Sequence, residues 1–249
     1  MKRVAIRTQD FQLAYRLIKK FKDLKIPHIQ LGHNQNVPKN VFCWFGSFEE
    51  VQCSNDKRGI ACNANNVSNT INKTLNRLFA GPDVKVLNFG VDTGPRPGLA
   101  WFADNRFIGC MQLEYVDEVA NKISQIIGHI SPKYPNKSLV RVGNGPRTIS
   151  NRIVNSCLNY GFDVELVDEN NTSSGSRHDH VSSAKSIGSK SGVSISNRLK
   201  VSPTRGEVRE IQRISRLLSE GKTTIPSKLA ASVAIGNLSL IEAVNLHSQ

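Results

Sequence analysis

The chain has 249 residues, of which 39% are hydrophobic and 21% are charged, and 33 Lys and Arg residues against 20 Asp and Glu residues give it a net charge of +13 and a pI near 9.8. It is long enough for one large or two modest domains, and no apolar run approaches the roughly 20 residues of a membrane span. The composition therefore excludes a membrane-spanning protein, and the excess of positive charge favours a polyanionic partner such as nucleic acid.

The N-terminus and the cysteines predict the cellular compartment. Lys2, Arg3 and Arg7 interrupt the N-terminal segment before the apolar core of a signal peptide could form, which predicts a cytoplasmic protein. The five cysteines are odd in number and lie nine or more residues apart. This spacing predicts reduced, mostly buried thiols instead of a disulfide framework or a zinc site.

The first eighty residues alternate between strand and helix patterns. The predicted elements, in chain order, are a strand at 3–7, a helix at 11–22, strands at 27–31, 41–45 and 60–62, and a helix at 67–79. This alternation predicts a small α/β domain over residues 1–81, which ends at the Gly81-Pro82 break.

A second domain is predicted over residues 82–192. Its elements are a strand at 84–92, strands at 99–103 and 106–113 around an Asp104-Asn105 hairpin turn, a helix at 117–130, a strand at 139–142, a helix at 148–160, a strand at 164–167 and a helix after 180. Three strands in a meander followed by alternating helices and strands is the element order of a ribonuclease H-like mixed sheet.

The C-terminal part is predicted to be a linker and a helical tail. The composition becomes rich in Ser, Gly and Lys from Ser189 to Pro203, which predicts a flexible linker over residues 193–203, and residues 204–249 predict a compact group of helices that opens at the Thr204 capping box. In the first helix an arginine stripe faces away from an apolar side formed by Val208, Ile211, Ile214 and Leu218. The stripe consists of Arg205, Arg209, Arg213 and Arg216.

Asp92 is the first candidate site residue. The strand at 84–92 carries apolar residues that suit a covered strand, and the Gly and Pro residues just after Asp92 cannot continue it. The carboxylate is therefore expected at the carboxyl end of a strand, where open α/β sheets place their ligands.

Three short motifs extend this observation. Gly90-Val-Asp-Thr-Gly94 resembles the first catalytic strand of the RuvC and YqgF branch of ribonuclease H-like nucleases, and Val167-Asp-Glu-Asn-Asn-Thr-Ser173 resembles the acidic fifth-strand signature of YqgF-like proteins. His178-Asp-His-Val-Ser-Ser-Ala184 resembles the final acidic helix of RuvC. The resemblance covers roughly residues 84 to 190, and it is to an archaeal-type member with an extra N-terminal α/β domain.

The resemblance implies a divalent-metal-dependent endonuclease for structured DNA, with branched DNA such as a Holliday junction as a candidate substrate. Asp92, Glu169 and Asp179 would be the catalytic carboxylates that hold Mg²⁺ or Mn²⁺, because these hard ions prefer oxygen ligands. The accessory residues of this expected site are Asn144, Asp168, His178 and His180. RuvC-like resolvases act as dimers, so a homodimer is implied as well.

One departure from the family leaves the chemistry open. RuvC carries a glutamate near the end of the fourth strand, whereas this chain has Gly143-Asn144, a turn closer to the Gly-rich loop of YqgF-like proteins. Two alternatives follow. One is a YqgF-like nuclease that processes ribosomal RNA precursors, and the other is a non-catalytic nucleic-acid-binding protein of the same fold.

Each candidate residue also has a purely structural interpretation. Asp92 can bond the amides of its own turn, Asp179 can cap a helix, and Asp168 is expected to point away from Glu169 because neighbours on a strand face opposite sides. The arginines are expected to meet phosphates, although the stripe at 205–216 can also pair with acids of a partner helix. The remaining phosphate-binding candidates are Arg96, Arg147 and Arg177.

Overall fold

The computed structural model describes residues 3–81, 83–130, 137–168 and 180–247. The chain forms two compact units, one ending at Leu78 and the other beginning at Phe79. Each unit contains its own sheet, and helices close the C-terminal part of the second. The protein is therefore a mixed α/β protein with two sheets and a helical C-terminal region.

The first unit is built on a four-stranded parallel sheet with the strand order β2-β1-β3-β4. Helix α1 buries Leu13, Leu17 and Phe21 against this sheet, and the Asp10 side chain caps its first turn. The elements are β1 (Arg3–Ile6), α1 (Phe11–Asp23), β2 (His28–Gln30), β3 (Val41–Gly46), α2 (Phe48–Gln52), β4 (Gly59–Ala61) and α3 (Val67–Ala80). The short α2 is an addition to the predicted elements, and a Ser47–Glu50 capping box starts it.

The second unit is built on a six-stranded mixed sheet with the strand order β10-β9-β8-β5-β6-β7. Its strands are β5 (Val86–Asp92), β6 (Gly98–Ala103), β7 (Arg106–Gln112), β8 (Lys137–Gly143), β9 (Asp163–Val167) and β10 (Val193–Ile195). Strands β5, β6 and β7 form the predicted antiparallel meander, and β5, β8 and β9 are parallel neighbours. The carboxyl ends of these three parallel strands therefore lie at one edge of the sheet.

The hairpin between β6 and β7 turns at Asp104 and Asn105, as predicted. Both residues have positive φ angles, 48° and 65°, which a two-residue type I′ turn requires and which Asn and Asp tolerate. The Asp104 carboxylate also accepts hydrogen bonds from the amides of Lys85 and Val86 at 3.1 and 3.0 Å. The turn thus fixes the start of β5 as well as the hairpin.

Helices cover both faces of the six-stranded sheet. Helices α4 (Val119–Ile130) and α5 (Arg147–Asn159) bury one face, where Leu87, Phe89 and Val91 of β5 belong to the main core. Helix α6 (His180–Ser189) lies on the other face against β5 and β6, with Ala184 buried beside Ala100 and Phe102. Since residues alternate along β5, its other side, including Gly90 and Asp92, faces α6.

The segment 193–203, for which the sequence predicts a flexible linker, contains β10 and docks on the sheet. Val193 to Ile195 pair antiparallel with β9. The buried Asn155 of α5 then donates to the carbonyl of Leu199 at 2.8 Å and accepts from its amide at 2.7 Å. The Ser-rich composition indicated a linker, but partners distant in sequence supply the hydrogen bonds of this segment.

The C-terminal helices are α7 (Arg205–Leu218), α8 (Ser227–Ile235) and α9 (Leu240–His247), which share a small core. The predicted apolar side of α7 packs only in part, because Val208 and Ile211 join this core whereas Ile214 and Leu218 are 38% and 51% exposed. Ser215 is fully buried instead, and its hydroxyl accepts from the amide of Ile225 at 3.2 Å. Within the described ranges, no helix is long and apolar enough to span a membrane.

Candidate functional site

Asp92 lies at the carboxyl end of β5, in the middle of the sheet. It pairs with Gly98 of β6 on one side, and the preceding Val91 pairs with Val142 of β8 on the other. Its side chain is 13% exposed. A largely buried carboxylate that keeps some contact with solvent is suited to hold a ligand at this edge of the sheet.

His180, the first residue of α6, forms a hydrogen bond with Asp92. The distance from Nδ1 of the ring to Oδ2 of the carboxylate is 2.6 Å, and 30% of the histidine side chain is exposed. When Nδ1 donates this hydrogen bond, Nε2 is the second polar atom of the ring. The pair thus holds a carboxylate oxygen and an imidazole ring side by side.

Three glycines let α6 approach the sheet closely. A Cβ atom added to Gly90 would lie 2.1 Å from the carbonyl oxygen of Ala184, and one added to Gly98 would lie 2.0 Å from that of His180. A Cβ on Gly188 would lie 2.5 Å from the ring of Phe102. Only hydrogen atoms fit at these positions, so the glycines determine the distance at which His180 meets Asp92.

Arg141 of β8 holds the carboxyl-terminal end of α6. Its guanidinium donates to the carbonyl of Gly188 at 2.8 Å and pairs with Glu165 of β9 at 2.9 Å. A cation at the end of a helix interacts favourably with the last carbonyl groups. Helix α6 is therefore fixed at its start by the Asp92–His180 pair and at its end by Arg141.

A network of hydrogen bonds surrounds Gly143, the last residue of β8. Its carbonyl accepts from the hydroxyl of Ser150 at 3.1 Å and, over a longer distance of 3.4 Å, from that of Thr93. The amide of Asn144 donates to the carbonyl of Val167 at 2.8 Å. The edge of β8 beside Asp92 is thus formed by backbone carbonyl and hydroxyl groups.

The structure brings two of the sequence-predicted site residues into contact, Asp92 and His180. Asn144 and Asp168 are both exposed and directly follow β8 and β9, so they lie at the same edge of the sheet. The other predicted site residues lie outside the described residues: they are Glu169, Arg177, His178 and Asp179. Convergence of the three proposed carboxylates therefore stays a prediction.

The predicted phosphate-binding arginines differ in their surroundings. Arg96 forms an ion pair with Glu114, which neutralises part of its charge, and Arg147 is exposed at the first position of α5. The arginine stripe of α7 is exposed along its whole length, although Arg213 pairs with Glu210 at 2.7 Å. The helix thus presents Arg205, Arg209 and Arg216 to solvent.

The part of the chain that the structure describes contains no group of three His, Cys, Asp or Glu side chains that could hold a metal ion. Two of the three proposed ligands are not among those residues, so this observation does not test the set. What the described residues supply is one carboxylate and one imidazole. Such donors suit Mn²⁺ better than an all-oxygen set would, and the carboxylate suits Mg²⁺.

The close packing of α6 is the feature of the site that sequence reasoning missed. Gly90 and Gly98 belong to buried strands, where glycine is unfavourable unless another backbone approaches. Gly90 is also two residues before Asp92 and so faces the same side. That pattern was a readable signal for a helix lying directly on the strand at the site.

Comparisons with known proteins find similarity to one family model and to solved structures. Residues 204–249 match the model of a family described as a three helical bundle domain. Among solved structures, the chain matches Argonaute of Marinitoga piezophila in complex with a 5′ OH guide RNA and target DNA, at 11% identity and a TM-score of 0.25. The match covers 98% of this chain and 54% of that chain, so this protein spans about half the length of that Argonaute. A likeness at this level carries no argument, and no curated protein matches the sequence.

Proposed function

We propose that the second unit is a ribonuclease H-like domain and that the protein is a divalent-metal-dependent endonuclease acting on structured DNA. The observation that carries this proposal is the place of Asp92, at the carboxyl end of β5, an inner strand of a sheet ordered β7-β6-β5-β8-β9-β10. An antiparallel meander continued by parallel strands in this order is the arrangement expected of a ribonuclease H-like sheet. The net charge of +13 supports a nucleic-acid substrate.

The chain's own residues divide the work as follows. Asp92, with Glu169 and Asp179, would hold Mg²⁺ or Mn²⁺, which supplies charge stabilisation and an activated water for phosphodiester hydrolysis. His180 orients the Asp92 carboxylate through Nδ1 and exchanges a proton at Nε2. Exposed arginines, including Arg147, hold the phosphate backbone.

The replacement Asp92→Asn tests this proposal. It removes the negative charge but keeps the shape of the side chain, so we expect cleavage in Mg²⁺ or Mn²⁺ to fall roughly a hundred-fold or more while binding persists. The substrates are a four-way DNA junction and a structured RNA, each measured with the same preparation. Preferential cleavage of the RNA would favour the alternative function, a nuclease that acts on structured RNA, over a nuclease that acts on DNA.

The matched control is Asp163→Asn. Asp163 is an exposed aspartate at the opposite, amino-terminal end of β9, so its replacement changes the same charge on the same sheet away from the site. We expect this variant to cleave like the unaltered protein. Equal cleavage by the Asp92→Asn variant would contradict the role of Asp92.

A non-catalytic nucleic-acid-binding protein is the second candidate function. The observation in its favour is Gly143, which occupies the end of β8 beside Asp92 and offers a carbonyl already bonded to Ser150. This alternative predicts binding that weakens steeply with salt and no turnover with Mg²⁺ or Mn²⁺. Metal-dependent cleavage that disappears in the Asp92→Asn variant would exclude it.

A further inference from the structure

Three large aromatic side chains of the first unit are exposed to solvent. They are Phe11, Tyr15 and Phe48, at 92%, 67% and 68% exposure. Phe11 and Phe48 are the first residues of α1 and α2, which follow the neighbouring strands β1 and β3. The two helices therefore begin side by side at the carboxyl edge of the parallel sheet, and Tyr15 lies one turn further along α1 on the same side.

The crevice between β1 and β3 is filled by a side chain of the protein itself. Open parallel sheets bind ligands where their strand order reverses, which here is between these two strands. The Glu50 carboxylate accepts hydrogen bonds there from the amides of Gln9 at 2.6 Å and Ser47 at 2.7 Å. Burial raises the pKa of Glu50, but these bonds outweigh it and lower the pKa below its usual 4.5. The amides that would face an anionic ligand are thus already bonded to an anion.

The outer side of α1 carries the exposed aromatic residues and then basic ones. At 100° per residue, Phe11, Tyr15, Lys19 and Lys22 fall within an arc of about 80°. All four are exposed. The opposite side holds the buried Leu17. The exposed side of this helix thus forms a continuous aromatic-to-basic stripe.

A basic pocket adjoins this stripe. It has a volume of about 300 Å³ and lies between α1 and the start of α3. Arg16, Lys19 and Lys20 line it, and Asp23 is the one acidic residue among the lining residues described. Arg16 donates to the carbonyl of Ala64 at 2.6 Å, which holds its guanidinium at the wall. The pocket is large enough for a phosphate group with part of its sugar.

The charge of the unit indicates the class of partner. Residues 1–78 contain thirteen Lys and Arg residues against five Asp and Glu residues. A polyanion satisfies this charge, and exposed aromatic rings beside it provide surfaces on which unpaired bases stack. An acidic peptide would use the charge but has no need of the rings, and a duplex keeps its bases stacked internally.

We propose that the stripe of α1 and the adjoining pocket bind single-stranded nucleic acid. A phosphate occupies the pocket of Arg16, Lys19 and Lys20, and neighbouring bases stack on Phe11 and Tyr15. This site belongs to the first unit and does not rest on cleavage at Asp92. Binding in EDTA measures it even if the protein has no nuclease activity.

The experiment is fluorescence anisotropy of a labelled twelve-nucleotide oligo-dT, and of an oligo-U of the same length, with the full chain in EDTA. Joint replacement Phe11→Ala and Tyr15→Ala is expected to weaken single-strand binding about ten-fold or more, because each lost base stack carries a large share of the affinity. Tyr15→Phe is expected to retain binding. Lys19→Ala with Lys20→Ala is expected to reduce the salt slope of binding by about 0.7, because the contact with the one phosphate in the pocket is lost.

The matched controls are Tyr160→Ala and Lys39→Ala. Tyr160 is 50% exposed at the end of α5, and Lys39 is exposed just before β3, at the opposite edge of the first sheet. Both variants are expected to bind the single strand with an affinity within two-fold of that of the unaltered protein. The variant with Phe11→Ala and Tyr15→Ala is expected to bind a blunt duplex with an affinity that is likewise within two-fold of that of the unaltered protein. Unchanged single-strand binding in that variant, or equal competition by oligo-glutamate, would overturn the proposal. Thermal unfolding of each variant verifies that these exposed replacements leave the fold intact.

Discussion

The hydrogen bond between Asp92 and His180 is the most informative contact of the protein at the scale of single residues. It joins the last residue of β5 to the first residue of α6 across 88 positions of sequence. Either residue alone is a common feature of a strand end or a helix start. Together, with 13% and 30% of their side chains exposed, they form a polar pair that is partly in contact with solvent.

The replacements His180→Asn and His180→Ala separate the two roles of this histidine. Asparagine keeps an N–H donor near the position of Nδ1 but cannot exchange a proton. We therefore expect His180→Asn to unfold in urea within about 0.5 kcal/mol of the unaltered protein, and His180→Ala to lose about 1 kcal/mol or more. Both should lower cleavage by roughly a hundred-fold. Full activity in the asparagine variant would show that His180 only positions Asp92.

Gly90 tests the close approach of α6. Gly90→Ala places a Cβ atom 2.1 Å from the carbonyl oxygen of Ala184 and 2.4 Å from the amide nitrogen of Gly188. Neither backbone atom can move without displacing the helix, so we expect a loss of about 2 kcal/mol or more in the free energy of unfolding. Urea denaturation measures it.

Gly128→Ala is the matched control. Gly128 lies inside α4, and among the described residues no atom beyond its own helix backbone lies within 4 Å of the position that a Cβ atom would take. Alanine favours the helix over glycine, so this variant is expected to gain up to about 1 kcal/mol. If the free energy of unfolding falls for Gly90→Ala and rises for Gly128→Ala, the space around the added Cβ atom, and not the loss of glycine itself, determines the change in stability.

At the scale of elements, α5 serves as the anchor for the chain that follows the sheet. Its Asn155 side chain bonds both backbone groups of Leu199, and the hydroxyl of Thr148 donates to Glu207 at 2.9 Å. Arg152 donates to the carbonyl of Ala234 in α8 at 3.2 Å. One face of α5 packs in the core. The other face of α5 thus holds residues 199–207 and the C-terminal helices in place.

Asn155→Ala is expected to release this segment. The replacement leaves the amide and carbonyl of Leu199 without their partner, which costs about 1–3 kcal/mol for buried groups. We therefore expect limited proteolysis to cut this variant faster within residues 196–204. Mass spectrometry of the fragments locates the cut. Asn151→Ala is the matched control. It removes one exposed hydrogen bond, from the Asn151 side chain to the carbonyl of Lys200, and is expected to change the rate of proteolysis much less. Equal proteolysis of both variants would contradict the anchor role of Asn155.

The elements were largely predictable from the sequence because they are regular. Apolar periodicity placed α1 and β5, and the Asp104-Asn105 turn was set by residues that tolerate positive φ. The strand β10 and the docking of residues 199–204 were not predictable, because their hydrogen-bond partners lie at least 27 residues earlier in the chain. Of the site, Asp92 was predicted from its own strand, whereas its pairing with His180 depends on tertiary packing.

At the scale of the whole molecule, each unit has a core of its own and each core contains buried thiols. Cys43 and Cys62 lie in the core of the first unit, and Cys157 lies in that of the second. Burial raises the pKa of Cys43 to about 11 and that of Cys157 to about 12. Burial, with a smaller contribution from the charge of Glu50, raises the pKa of Cys62 to about 12.

These thiols are expected to report on the unfolding of each unit separately. A raised pKa keeps a thiol protonated at pH 8, so the three buried cysteines should not react with a thiol reagent in the native protein, whereas the exposed Cys53 reacts at once. All five should react in denaturant. Mass spectrometry of peptides after pulsed labelling across a urea series assigns each reaction to its unit. Rapid native labelling of Cys157 would contradict the described core.

Strand β10 has a consequence for how the protein behaves among copies of itself. It covers the edge of β9 with only three residues, and the chain then turns away to meet α5. A long unpaired strand at a sheet edge is a template for association with another molecule, whereas a short one offers few free amide and carbonyl groups. The same segment that looked like a spacer in the sequence therefore protects this side of the sheet from aggregation.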